Sequence, residues 1–264
     1  LLIVFILFCI ITPIISFIYN INLSNIFGAI TFNDFLISND IRAKSGGTVS
    51  DLETHWNYIL KLKDNFTNLL SIRMGGDEDE GSKLLNFPLH HIIFSQLLFF
   101  DDIKKYLLFF FIFSFFLPLI FYKVLKIRFP KIKNSKIIYL CSIILILPSF
   151  QYSSIWGSNH ITALIFLSLG FLFYNNFKLT KKIGYLFVSL FFFSLCCYTK
   201  QYYVFIFPFL IISIYERLIL KKFFIILSFI SILGLPGLFF VIKNPLLITG
   251  ISQKTTNFSS SILV

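Results

Sequence analysis

The sequence predicts an all-α polytopic membrane protein with about seven transmembrane helices, and three observations carry that expectation. Of its 264 residues, 57% are hydrophobic and only 13% charged; a soluble domain carries roughly twice that charged share. Apolar runs of about 16–22 residues recur, long enough to cross a hydrocarbon core of about 30 Å. Those runs lack period-2 alternation, so helices rather than a closed barrel satisfy the backbone in lipid. With 37 Phe and a mean hydropathy of +0.85, residues 1–264 read as a single membrane domain.

The first span covers 1–19. The chain opens on "LLIVFILFCI" without a leader and holds one Met, Met74, so it reads as a piece of a longer protein. A long segment, 20–104, follows. Within it "SDLETHWNYILKLKDNF" is patterned as an amphipathic helix. Ser50 is placed as N-cap and Glu53 as its capping-box partner. Leu52, Trp56, Ile59 and Leu60 recur at helical spacing, a stripe expected to lie flat on the bilayer with Trp56 at headgroup level. Asp51 and His55 are four apart and share a face turned from that stripe. Asp51 also suits the positive end of the helix dipole.

The acidic turn "GGDEDEG" offers carboxylates, Asp77 and Asp79 among them, of the kind a hard divalent cation takes, but a solvated charge run is the better explanation. Pro88 then suits a helix start, and 88–100 is apolar but too short to span, as expected of an interfacial or re-entrant segment. His90 and His91 point about 100° apart, so they do not face one ligand together.

Further spans are expected at 105–122, 136–152, 159–174, 183–198, 201–219 and 222–242, with an outer segment at 243–264. Between two of them "YSSIWGSNH" forms a polar turn holding Trp156, Asn159 and His160. In "CYTKQYY" a tight helix hairpin places Lys200 and Gln201 at or below the interface. A cation that close to hydrocarbon either snorkels to the headgroups or serves an anion such as a lipid phosphate. Cys9, Cys141, Cys196 and Cys197 fall inside spans without metal-ligand spacing and read as small apolar residues.

Charge sets the orientation. Lys123, Lys126, Arg128, Lys131, Lys133 and Lys136 share one linker; Lys178, Lys181 and Lys182 a second; Arg217, Lys221 and Lys222 a third. The positive-inside rule puts all three on the cytoplasmic side and the N-terminus with them. The net charge of +11 is therefore a topology signal and no sign of nucleic acid. The same orientation sends every acid except Glu216, and all four His (His55, His90, His91, His160), to the outer side. Sequons at Asn22, Asn65 and Asn257 fall there too.

A span, a long outer loop with Asp51 and His55, and the Pro-led segment "NFPLHHIIFSQ" together resemble the GT-C membrane glycosyltransferases. The likeness is to enzymes that take sugar from a polyprenyl- or dolichyl-phosphate carrier: the lumenal glucosyl- and mannosyltransferases and the bacterial lipid A and cell-wall sugar transferases. "THWNYI" is similar to a His-Trp stretch of those glucosyltransferases, and "YTKQYY" to a basic-Gln pair after a later span. The resemblance implies an inverting transfer on the extracytoplasmic or lumenal face of a bacterial inner membrane or the ER. It implies Asp51 as general base, with Glu53 the second choice. It places Lys200 and Gln201 at the phosphate and His55, His90, His160 and Trp156 around the sugar. The partners it implies are a lipid-linked sugar donor and a glycan, lipid or protein acceptor. No cofactor beyond an optional divalent cation is called for. In the family the key acid follows the first span closely, whereas about thirty residues intervene here, which keeps Asp34 and Asp40 as alternatives. The rival is a transporter or flippase, for which Gly234, Pro236 and Gly237 would mark a broken helix.

Overall fold

The computed structural model describes residues 2–26, 48–64, 87–97, 103–155 and 157–243. Asp34, Asp40, Asp77, Asp79 and Trp156 lie outside the described residues, as do the side chains of Asp51 and Glu53. The described chain is helical without a strand. Its helices are α1 (Leu2–Ile26), α2 (Thr48–Asp64), α3 (Leu89–Ser95), α4 (Ile103–Ser114), α5 (Phe116–Arg128), α6 (Asn134–Ile146), α7 (Pro148–Ile155), α8 (Asn159–Thr180) and α9 (Ile183–Thr199). A 3₁₀ turn, Gln201–Phe205, leads into α10 (Ile206–Tyr215), and α11 (Leu220–Lys243) follows.

Three helices are long and apolar enough to cross a membrane: Lys105–Arg128 (α4 with α5), Asn159–Thr180 and Leu220–Ile242. The bent pair α6–α7 makes a fourth if it counts as one span. Leu2–Ile18, Ile183–Thr199 and Gln201–Tyr215 are apolar and shorter.

Proline chemistry explains where these helices bend. Pro118 lacks an N–H and crowds the carbonyl of Ser114, and the chain breaks at Phe115 between α4 and α5. There the Ser114 hydroxyl turns back onto the Phe111 carbonyl, 2.6 Å away. The span expected straight over 136–152 bends by 60° instead. Leu147 precedes Pro148 and is extended (φ −64°, ψ 129°), because a residue before proline disfavours the helical region. Gln151 Nε2 reaches the Leu145 carbonyl at 3.3 Å, close to the break.

In contrast, the break that the transporter reading would place at Gly234–Pro236–Gly237 is absent: α11 runs through it, as the span expected over 222–242 requires. The Tyr198 hydroxyl from α9 donates to the Leu233 carbonyl and accepts from Gly237 N–H at 3.2 Å. Those two backbone groups are the pair that bond each other in an unbroken helix. Gly237 lets the ring approach, since a Cβ there would meet Tyr198 Cε1 at 3.0 Å.

Helices α5 and α8 extend beyond their expected ends. α5 continues to Arg128 and α8 to Thr180, so basic residues assigned to linkers occupy last turns, where the negative helix ends favour cations. Lys181 closes α8 in the left-handed conformation (φ 59°). The α8–α9 hairpin is the closest helix pairing. A Cβ on Gly170 would meet the Phe193 ring at 2.6 Å, and Ser189 Oγ donates to the Gly170 carbonyl at 2.8 Å. Small residues that let backbones approach are what hold helices together in lipid. Phe193 packs there with Tyr174, Phe177, Leu186 and Leu190; Leu210 and Ile214 bring in α10.

A second apolar cluster gathers Trp56, Ile59, Phe94, Tyr106 and Phe110. It corrects the expected placement of α2. Trp56 is only 4% exposed, with its ring 5.5 Å from that of Tyr106, so the stripe docks on protein rather than on headgroups. The start differs as well. α2 begins at Thr48, so Ser50 sits inside the first turn and is not its cap.

Candidate functional site

A group of polar side chains converges at one end of the bundle, where α4 and α8 begin and α9 ends. α2 brings His55, and the short α3 brings His90 and His91. α4 brings Tyr106, α8 brings Asn159, His160 and Thr162, and the α9 terminus brings Lys200.

His90 is fully buried and both its ring nitrogens are engaged. Nδ1 lies 2.9 Å from Thr162 Oγ1 and Nε2 lies 3.2 Å from Tyr106 Oη. The Tyr106 hydroxyl spends its proton on the Gly157 carbonyl at 2.9 Å, so its oxygen accepts from His90 Nε2–H. Nδ1 is then the lone-pair nitrogen and accepts from the Thr162 hydroxyl. This fixes one neutral tautomer and makes His90 a structural pin between α3, α4 and α8.

Gly157 completes the pin. Its φ of 65° suits glycine, and a Cβ would lie 2.6 Å from the Tyr106 hydroxyl. The backbone then turns into α8, where the Ser158 side chain accepts from His160 N–H at 3.4 Å.

His91 meets His90 edge-on, the ring planes 88° apart and the centroids 5.2 Å apart. The adjacent pair thus belongs to one cluster, although each ring bonds different partners. His91 Nε2 lies 2.7 Å from His55 Nδ1, with the two rings stacked at 4.9 Å, and the Tyr58 ring stands edge-on to His91 at 4.7 Å. One proton serves the two facing nitrogens. His91 is 1% exposed whereas His55 is half-buried, so His55 is the accessible member. Among the described residues, buried atoms without a hydrogen-bond partner include His91 Nδ1, the Tyr58 hydroxyl and both amide atoms of Asn159. Each costs about 1–3 kcal/mol if left so, which makes them groups a polar ligand engages with profit.

Electrostatics keep the imidazoles neutral. Burial first, then the Lys200 charge and His160, push His55 down to about 4. Burial and His55 hold both His90 and His91 well below the ordinary range, with Lys200 adding to both and His90 to His91. Lys200, half-buried between α9 and the 3₁₀ turn, is thus the positive charge felt across the cluster, and Gln201 sits beside it on the backbone. His160 is exposed, with Nδ1 3.2 Å from Tyr202 Oη.

The described residues hold no group of three or more His, Cys, Asp or Glu arranged for a metal ion. His90, with both ring nitrogens hydrogen-bonded, has no free lone pair. The sequence named His91 and Asn159 without giving either a role, and it did not point to Tyr58, Tyr106 or Thr162 as members. Two of them carried a signal, since Tyr106 and Thr162 are polar groups set inside apolar runs.

The chain matches no family model, no curated protein and no solved structure.

Proposed function

We propose that the protein is a membrane glycosyltransferase of the GT-C type, with about seven spans and its site on the extracytoplasmic or lumenal side. It takes sugar from a polyprenyl-phosphate carrier. The observation that supports this reading is the convergence of His55, His90, His91, His160 and Lys200, from four separate elements, at one end of the helix bundle. Three neutral imidazoles around one ammonium suit a ligand that is anionic at one end and hydroxyl-rich at the other.

In the transfer, an acceptor hydroxyl oxygen attacks the anomeric carbon and the carbon–oxygen bond to the lipid phosphate breaks. The electron pair leaves with the phosphate, whose charge Lys200 meets. The hydroxyl proton goes to the Asp51 carboxylate. Position 51 lies four residues before His55 on the continuous helix α2, and so on the same face. Position 53 lies about 160° further round, which favours Asp51 over Glu53.

The rival reading, a transporter or flippase, draws on the 60° break between α6 and α7. One experiment separates the two. Purified protein in liposomes is given a polyprenyl-phosphate sugar and an acceptor extract, and both polyprenyl phosphate release and donor movement across the bilayer are followed. Release that is lost in Asp51→Asn and weakened at low donor by Lys200→Ala supports the transferase. Donor movement without release supports the rival.

A further inference from the structure

At the end of the bundle opposite the histidines, three helices finish together. The Tyr174 hydroxyl of α8 donates to Ser213 Oγ of α10 at 2.6 Å and ties the two. One turn beyond each partner stand Lys178 and Arg217, so the same contact brings these cations together. Lys178 Nζ lies 4.9 Å from the centre of the Tyr174 ring, which orients it. Arg128 ends α5, which packs along α8, and Lys181 caps α8. The charges of Arg128, Lys181 and Arg217 all act on Lys178, so cations from three elements surround one place.

Helix ends do not neutralise them. Three C-termini contribute about −1.5 charges in all. Glu216, exposed beside Arg217, adds one more, against four full positive charges. About +1.5 remains. Large apolar side chains flank the same cations and are exposed: Phe129 46%, Leu179 67%, Ile219 74%. A soluble anion has no use for those residues, whereas a phospholipid needs both kinds of surface.

We propose that Arg128, Lys178, Lys181 and Arg217 form a binding site for the phosphate headgroup of an anionic phospholipid, with its acyl chains along Phe129, Leu179 and Ile219. The site is independent of the sugar chemistry at the other end.

The test is native mass spectrometry of the protein released from nanodiscs of phosphatidylcholine mixed with phosphatidylglycerol. The wild type is expected to retain phosphatidylglycerol in preference to phosphatidylcholine. Lys178→Gln or Arg217→Gln should each lower that retention about five-fold, the effect of one cation near a membrane surface. Lys181→Gln, at an exposed position, replaces either variant that fails to fold. Lys131→Gln and Lys133→Gln, in the α5–α6 connection, should leave retention unchanged. Equal retention of both lipids overturns the proposal. So does an equal loss in the Lys131 and Lys133 variants, which would mean a diffuse basic surface. Displacement of the lipid by soluble glycerol phosphate at matched concentration would overturn the lipid as the source.

Discussion

Replacing Gly157 by Ala should dismantle the histidine site through a single methyl group. Two costs add. An L-residue held at φ 65° loses about 1–2 kcal/mol. The new Cβ would stand 2.6 Å from the Tyr106 hydroxyl and 2.7 Å from its Cε1, so the ring must withdraw. Tyr106 is fully buried against Trp56 and Phe110, and withdrawing it breaks the bond to the Gly157 carbonyl and frees His90 Nε2. An unmet buried group of this kind costs about 1–3 kcal/mol, giving about 2–5 kcal/mol in total. For a chain of this size that is a fall in melting temperature on the order of 5–15 °C. Gly184→Ala is the matched control, because nothing lies within 4 Å of a Cβ there; it should be neutral or slightly stabilising. Thermal unfolding in detergent reads both. In a Trp156→Phe background, Trp56 emission reports whether its neighbour Tyr106 has moved. A Gly157→Ala protein that melts with Gly184→Ala and keeps the Trp56 spectrum would refute the account of the pin.

The remaining predictions concern protons and the α11 contact. His55 is held down at about 4 in the fold against 6.5 unfolded, so between those values the unfolded state binds the extra proton. The His55 contribution to stability should therefore fall as pH drops through that window, by at most about 1.4 kcal/mol per pH unit, and that share should level off below about 4. His55→Gln should flatten the curve, and an unaltered slope would count against the neutral cluster. Tyr198→Phe removes the hydroxyl that bridges Leu233 and Gly237 and should speed hydrogen exchange at the Gly237 amide by about ten-fold, as expected for loss of a bond worth about 1.4 kcal/mol. Unchanged exchange there would show that α11 closes its own backbone at Pro236.

The helical membrane class was legible because composition alone leaves lipid few alternatives, and helix positions followed from apolar runs. What composition could not supply was the behaviour at prolines. Pro148 bends a span by 60°, whereas Pro236 leaves its helix continuous. The difference lies in a remote partner, the hydroxyl of Tyr198, which no local window contains. The site was half legible. His55, His90, His160 and Lys200 were named from their residue types and their positions around the spans. Tyr106 and Thr162 enter only through tertiary contact, since His90, which both bond, lies 16 and 72 residues away.

The misplacement of α2 shows what an apolar stripe leaves undetermined. Lipid and protein interior are equally apolar, so Trp56 and Ile59 satisfy either neighbour. The width of the buried arc decides between them. Tyr58, Leu62, His55, Ile59 and Trp56 together cover about 160° at 100° per residue, wider than the stripe of about 100° that a surface helix buries. That arc includes His55, whose ring hydrocarbon could not hydrogen-bond. Only a protein surface that already carries His91 can receive this face. Position 51 falls inside the same arc, between Tyr58 and His55, while position 53 falls well outside it. Position 51 thus shares the docked face of α2 with His55 by helical spacing, which makes Asp51 the first carboxylate to substitute.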